Sequence, residues 1–81
     1  MSLKERVDNI IAYYNNYGAN DINDCINRLD TLLKNEPSVT GYRIGKDTDV
    51  FESSGVDIYY VSVAWVDGNG LNLCGGPVYS C

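Results

Sequence analysis

The apolar residues of this chain change their spacing at Pro37, and that change limits the possible folds more than any other feature. Before it they recur at helical intervals. Leu3, Val7, Ile10, Ile11 and Tyr14 form one stripe, and Ile22, Cys25, Ile26, Leu29, Leu32 and Leu33 form a second. Ser2 and Glu5 have the spacing of a capping box in front of the first stripe, and Gly18 supplies a stop just past Tyr17. Asn20 or Asp21 can cap the second stripe, which "NEP" ends at Pro37. Two amphipathic helices joined by a short loop are therefore predicted. After Pro37 the chain reads as β-rich runs, "VTGYRI", "DVFE", "VDIYYVSVAWV" and "LNLC", separated by "GKDT", "SSG" and "DGNG". The expected fold is α+β, a helical hairpin (1–36) on one face of a three- to four-stranded antiparallel sheet (37–81), in a single domain. With 81 residues the chain can build only one hydrophobic layer, burying about 60–65% of its unfolded surface.

The longest run decides which sheet face is free. Alternation places Val56, Ile58, Tyr60, Ser62, Ala64 and Val66 on one side and Asp57, Tyr59, Val61, Val63, Trp65 and Asp67 on the other. The first set is uncharged and small in its middle, so helices could lie close to it, and it is expected to face the core. The second would then expose a strip of Tyr59, Val61, Val63 and Trp65 bracketed by acids, as protein-binding surfaces do. The opposite assignment, or closure of the strip by a homodimer, is the alternative.

"DGNG" places Asp67, Asn69 and Gly70 at positions 3, 5 and 6 of a calcium-loop pattern. Positions 1 and 12 then fall on Trp65 and Gly76, where a carboxylate is needed, so the stretch is expected to be a hairpin turn without bound metal. The chain has three cysteines, Cys25, Cys74 and Cys81, no C-x-x-C spacing and no histidine, which argues against a disulfide framework or a zinc site. Cys25 lies within a helical stripe and is expected to be a buried hydrophobe, and a Cys74–Cys81 pairing stays open. Nucleophilic catalysis would lack its commonest base, and neither glycine-rich phosphate motif is present, so no enzyme activity and no cofactor are expected. No apolar run approaches the ~18 residues of a membrane span and no cleavable leader is evident, so a cytoplasmic protein is expected.

Charge is distributed unevenly. Residues 1–36 carry a net −2, whereas Asp47, Asp49, Glu52, Asp57 and Asp67 follow Lys46 without a single base. Such a field repels nucleic acid and anionic membranes and attracts basic proteins. A tiny single-domain chain with this acidic half, rich in Asn and Tyr, resembles the small phage-encoded inhibitors of host defence, the anti-CRISPR proteins in particular, in size and charge but in no motif. The resemblance implies an accessory protein in a bacterial host's cytoplasm that blocks a Cas effector or its assembly. The expected function is thus a non-enzymatic acidic binding protein that occupies a basic nucleic-acid-binding surface of a host defence protein. Its expected contact residues are Asp47, Asp49, Glu52, Asp57, Tyr59, Val61, Val63, Trp65 and Asp67, and its partner is a basic protein that handles nucleic acid. A structural or regulatory homodimer, or an immunity-type protein against a basic toxin or nuclease, is the alternative.

Overall fold

The computed structural model describes residues 2–16, 22–51 and 56–79, with side chains described for all of these except 16, 49–51, 56, 57 and 79. Helix α1 spans Leu3–Asn16 and α2 spans Ile22–Lys34; they are followed by strands β1, Gly41–Phe51, β2, Val56–Asp67, and β3, Gly70–Tyr79. The strands form one antiparallel sheet in the order β1-β2-β3. The fold is therefore the two-layer α+β arrangement expected from the change of period. Ser2 caps the helix, with the Glu5 N–H donating to Ser2 Oγ at 3.2 Å, and Glu5 returns to the cap by accepting the Ser2 hydroxyl on Oε1 at 3.2 Å. The proposed helix stop at Gly18 and the caps at Asn20 and Asp21 lie outside the described residues.

One predicted break is absent, and one strand runs past its expected end. "GKDT" continues the ladder, with Gly45, Lys46, Asp47 and Thr48 paired to Ser62, Val61, Tyr60 and Tyr59. Two expected runs thus merge into one strand, because the continuous pairing along β2 outweighs the weak strand preference of Gly and Asp. Likewise "LNLC" extends through Gly75, Gly76 and Pro77 as an edge strand, where proline is tolerated.

The "DGNG" stretch is a hairpin, with Asp67 paired to Gly70. Only Gly70 has a positive φ, 108°, while Gly68 and Asn69 do not. The turn is therefore not of the primed type that Asp-Gly and Asn-Gly favour. It is an unprimed turn whose twist is corrected by the left-handed glycine that follows. Asp67 Oδ1 accepts the Asn69 N–H at 2.8 Å, which holds the bend.

Helix α1 lies over β3 and α2 over β1 and β2. Lys46 Nζ donates to Asn23 Oδ1 at 3.2 Å and the Tyr42 hydroxyl donates to Asp30 Oδ1 at 2.6 Å, fixing α2 along β1. Arg6 pairs with Glu36 at 2.9 Å, tying the start of α1 to the segment beyond α2 and holding the Glu36 carboxyl below its usual range. The core combines Val7, Ile11 and Tyr14 with Ile22, Cys25, Leu29 and Leu33, and closes on Val61, Val63, Trp65 and Val78.

This overturns the expected assignment of sheet faces. Trp65 is 1% exposed, Val61 and Val63 are buried, and Tyr59 is partly buried against the same cluster. Tyr60, Ser62 and Val66 are instead exposed. The expected contact strip is therefore the floor of the core. Two helices resting on a sheet must fill the space between layers about 10 Å apart, and the Trp-Val-Val side supplies that volume where the Ser-Ala side does not. Ile58 is buried on the opposite face, outside the main cluster.

Candidate functional site

The side of the sheet away from the helices is the candidate surface. Register stacks its residues in rows across the three strands: Gly41, Val66 and Leu71; Arg43, Ala64 and Leu73; Gly45, Ser62 and Gly75; Asp47, Tyr60 and Pro77. Leu71 is 67% exposed and Leu73 65%, with Val66 and Tyr60 also open. These groups lie together on one face and form a contiguous exposed patch rather than scattered apolar residues.

The third row has almost no side chain. A Cβ on Gly45 would stand 2.8 Å from Ser62 Oγ, and one on Gly75 would stand 2.7 Å from the Val61 carbonyl oxygen. At Gly75 the close approach of the neighbouring backbone demands glycine, whereas at Gly45 the Ser62 hydroxyl would have to turn aside. A shallow depression results, bounded by Arg43, Ala64 and Leu73 on one side, with Tyr60 and Pro77 in the row beyond it. Arg43 and Asp47 flank the depression from opposite sides and are the charged side chains of this face among the described residues. Arg43 makes no ion pair with a described residue, while Asp47 Oδ1 accepts its neighbour's N–H, that of Thr48, at 2.8 Å.

The acids expected to bind a partner divide into two groups. Register places Asp47, Asp49 and Asp57 in the end rows of the β1–β2 pair, where Asp49 meets Ile58 and Val50 meets Asp57, so that Asp47 and Asp49 hold positions on the open side of the sheet and Asp57 a position on the helix side. Helix α2 begins above Lys46, and β1 continues beyond it to Phe51. Glu52 lies outside the described residues. Asp67 lies at the opposite end of β2, occupied by the β2–β3 turn. Tyr59, Val61, Val63 and Trp65 belong to the covered side. Sequence reasoning missed Leu71 and Leu73, although the hairpin at Gly68 and Asn69 already pairs them with Val66 and Ala64.

No activated nucleophile accompanies these surfaces among the described residues. Burial pushes the Cys25 thiol up to about 11, with the Asp24 carboxylate adding to the effect. Cys74 also rises to about 11, through burial and a hydrogen bond to Asp8. Both sulfurs are protonated near neutral pH, and a thiol in that form is a poor nucleophile. Among the described residues no three Cys, Asp or Glu side chains cluster as metal ligands, and no helix is long and apolar enough to cross a membrane. No protein-family model, curated protein or solved structure matches the chain.

Proposed function

We propose that this chain is a non-enzymatic binding protein that presents its acidic β1–β2 end to a basic surface of a nucleic-acid-handling protein, and inhibits it by occupying that surface. The observation that supports this reading is the gathering of Asp47, Asp49 and Asp57 at one end of the sheet, with Glu52 adjacent in sequence. Carboxylates two residues apart on a strand stand ~6–7 Å apart, the order of the phosphate spacing along one nucleic-acid strand. A groove built to hold phosphates would meet charge of the right sign at a similar interval. Among such partners, the resemblance in size and charge to anti-CRISPR proteins favours a CRISPR effector.

The test is competition. The chain should displace DNA from a CRISPR effector complex. Changing Asp49→Asn, Glu52→Gln and Asp57→Asn together should slow association about tenfold and flatten its salt dependence between about 50 and 500 mM, because steering by net charge is screened by salt. An association rate and salt slope equal to those of the unaltered chain would reject the charge mimicry. A second reading, a homo-oligomer, is favoured by the exposed Val66, Leu71 and Leu73 on the uncovered face.

A further inference from the structure

We propose that the uncovered sheet face docks on the same face of a second copy of this chain, about a two-fold axis running across the strands through Gly45, Ser62 and Gly75. This goes beyond the acidic-end function and uses a different surface, with Asp47 the one residue near both. The axis lies between the two sheets and places β1 over β1 of the other copy. The rows on either side of the glycine row are exchanged. Arg43 of each copy then faces Asp47 of the other, since both stand one row from the axis on opposite sides. Two reciprocal ion pairs result from one symmetry operation. An extended Arg side chain and an Asp side chain together reach across the ~10 Å that separates packed sheets.

The apolar groups fit the same operation. Tyr60, exposed and large, faces Ala64 of the other copy, and Leu73 faces Pro77. Large side chains thus meet small or flat ones, as interdigitating sheets require. Along the axis Gly45 and Gly75 lie opposite their own counterparts, so the backbones can approach where side chains would hold them apart. The other in-plane two-fold, parallel to the strands, lacks this match. It would set Arg43 against Leu73 and Asp47 against Pro77, burying both charges without partners, which is costly. Charge therefore selects one arrangement of the two.

The footprint sets the strength of the pairing. Three strands ~4.8 Å apart and three matched rows ~6.7 Å apart, the axis row and one on either side, cover roughly 14 by 20 Å, so the contact lies below the ~1,200 Å² of total buried surface at which specific stable interfaces begin. The dimer is accordingly one that dissociates on dilution, not an obligate one.

Sedimentation equilibrium of the full chain over about 10 μM to 1 mM tests the proposal, a range suited to contacts of this size. A monomer–dimer equilibrium is expected. Arg43→Asp, which sets two carboxylates against each other twice, should weaken it at least about tenfold, and Arg43→Asp combined with Asp47→Arg should restore it to within about threefold, because the pair is re-formed with reversed sense. Leu73→Glu should abolish association. All three positions are exposed, so unchanged circular dichroism and urea midpoints are expected to accompany these changes. A chain that stays monomeric throughout, a dimer whose constant is unchanged by Arg43→Asp, as pairing through strand edges would give, or failure of the double variant to recover would each overturn the proposal. Asp49, Glu52 and Asp57 are untouched in these variants, so failure here leaves the acidic-end test standing on its own.

Discussion

Strand β2 sends Val61, Val63 and Trp65 to one side of the sheet and Ser62, Ala64 and Val66 to the other, and only the first side is covered. Neither set carries a charge. Polarity therefore does not decide which face takes the helices; volume does. The covered side offers an indole and two branched aliphatics to the Leu29 and Leu33 stripe, while the other is indented by the Gly45–Ser62–Gly75 row. A small domain has one core to build, and it builds it where the bulk is. The sharpest way to break this comparison is to truncate each face in turn. Trp65→Ala should cost about 3–5 kcal/mol, as buried large-to-small changes do, whereas Leu73→Ala should stay within about 0.5 kcal/mol. Trp65 Nε1 is buried with no acceptor among the described residues. Trp65→Phe removes that group along with part of the ring, and should cost less than half as much as Trp65→Ala. Equal urea midpoints for Trp65→Ala and Leu73→Ala would mean that the helices do not rest on the Trp65 side.

A second pair of substitutions compares two glycines in the same row of the open face. A Cβ at Gly75 would meet the Val61 carbonyl oxygen, a backbone atom that cannot turn aside, whereas at Gly45 it would meet the Ser62 hydroxyl, which can change rotamer. Gly75→Ala should therefore cost about 1–3 kcal/mol in chemical denaturation, the range of forced overpacking, and Gly45→Ala clearly less. If Gly45→Ala proves the worse of the two, the strands are not in the close register described.

How much of this was legible before the structure follows from the kind of signal each element carries. The helices were, because Leu29, Leu33 and Cys25 recur at the helical period and Ser2 with Glu5 announces a start. The sheet and the hairpin at Gly68 and Asn69 were also legible. What was not was the face of β2, since alternation separates two sets of residues without saying which is covered, and here both sets are uncharged through the middle of the strand. Reading small residues as room for helices reversed the answer, and with it the role of Tyr59, Val61, Val63 and Trp65. The continuity of β1 through Gly45 and Asp47 was hidden for a different reason, because their low strand preference is overcome by pairing with β2, a tertiary effect. Asp67 counted as one acid among five, yet its carboxylate is engaged by the turn it starts.

The smallest expected effect separates the covered side from the open one by pH. Burial first, and then the hydrogen bond its hydroxyl donates to the Asp24 carboxylate, raise the Tyr14 phenol from its ordinary 10 to about 12, while the Arg28 guanidinium, 5.8 Å from the ring centre, acts in the opposite sense. Cys25 beside it rises from 9 to about 11 by burial and by Asp24, again opposed by Arg28. In both cases the folded state holds its proton where the unfolded chain would release it. Stability from these groups is therefore complete below pH 9, declines as the unfolded thiol ionises, and declines more steeply above pH 10 as the unfolded phenol does, until the folded values near 11 and 12 are passed. The melting temperature should accordingly fall from pH 9 upward. Tyr14→Phe discards the Asp24 hydrogen bond and lowers the starting value, but it also removes the phenol that ionises on unfolding, so its decline above pH 10 should be shallower than that of the unaltered chain. Cys25→Ala should instead make the portion between pH 9 and 11 shallower, with Cys74, which also rises to about 11, keeping the remainder of that decline. Leu73→Ala, which changes only the open face, should leave the slope unaltered. Parallel curves for Tyr14→Phe and the unaltered chain between pH 10 and 12 would show that the phenol is not held under the helices, and the contrast between the two faces would lose its electrostatic half.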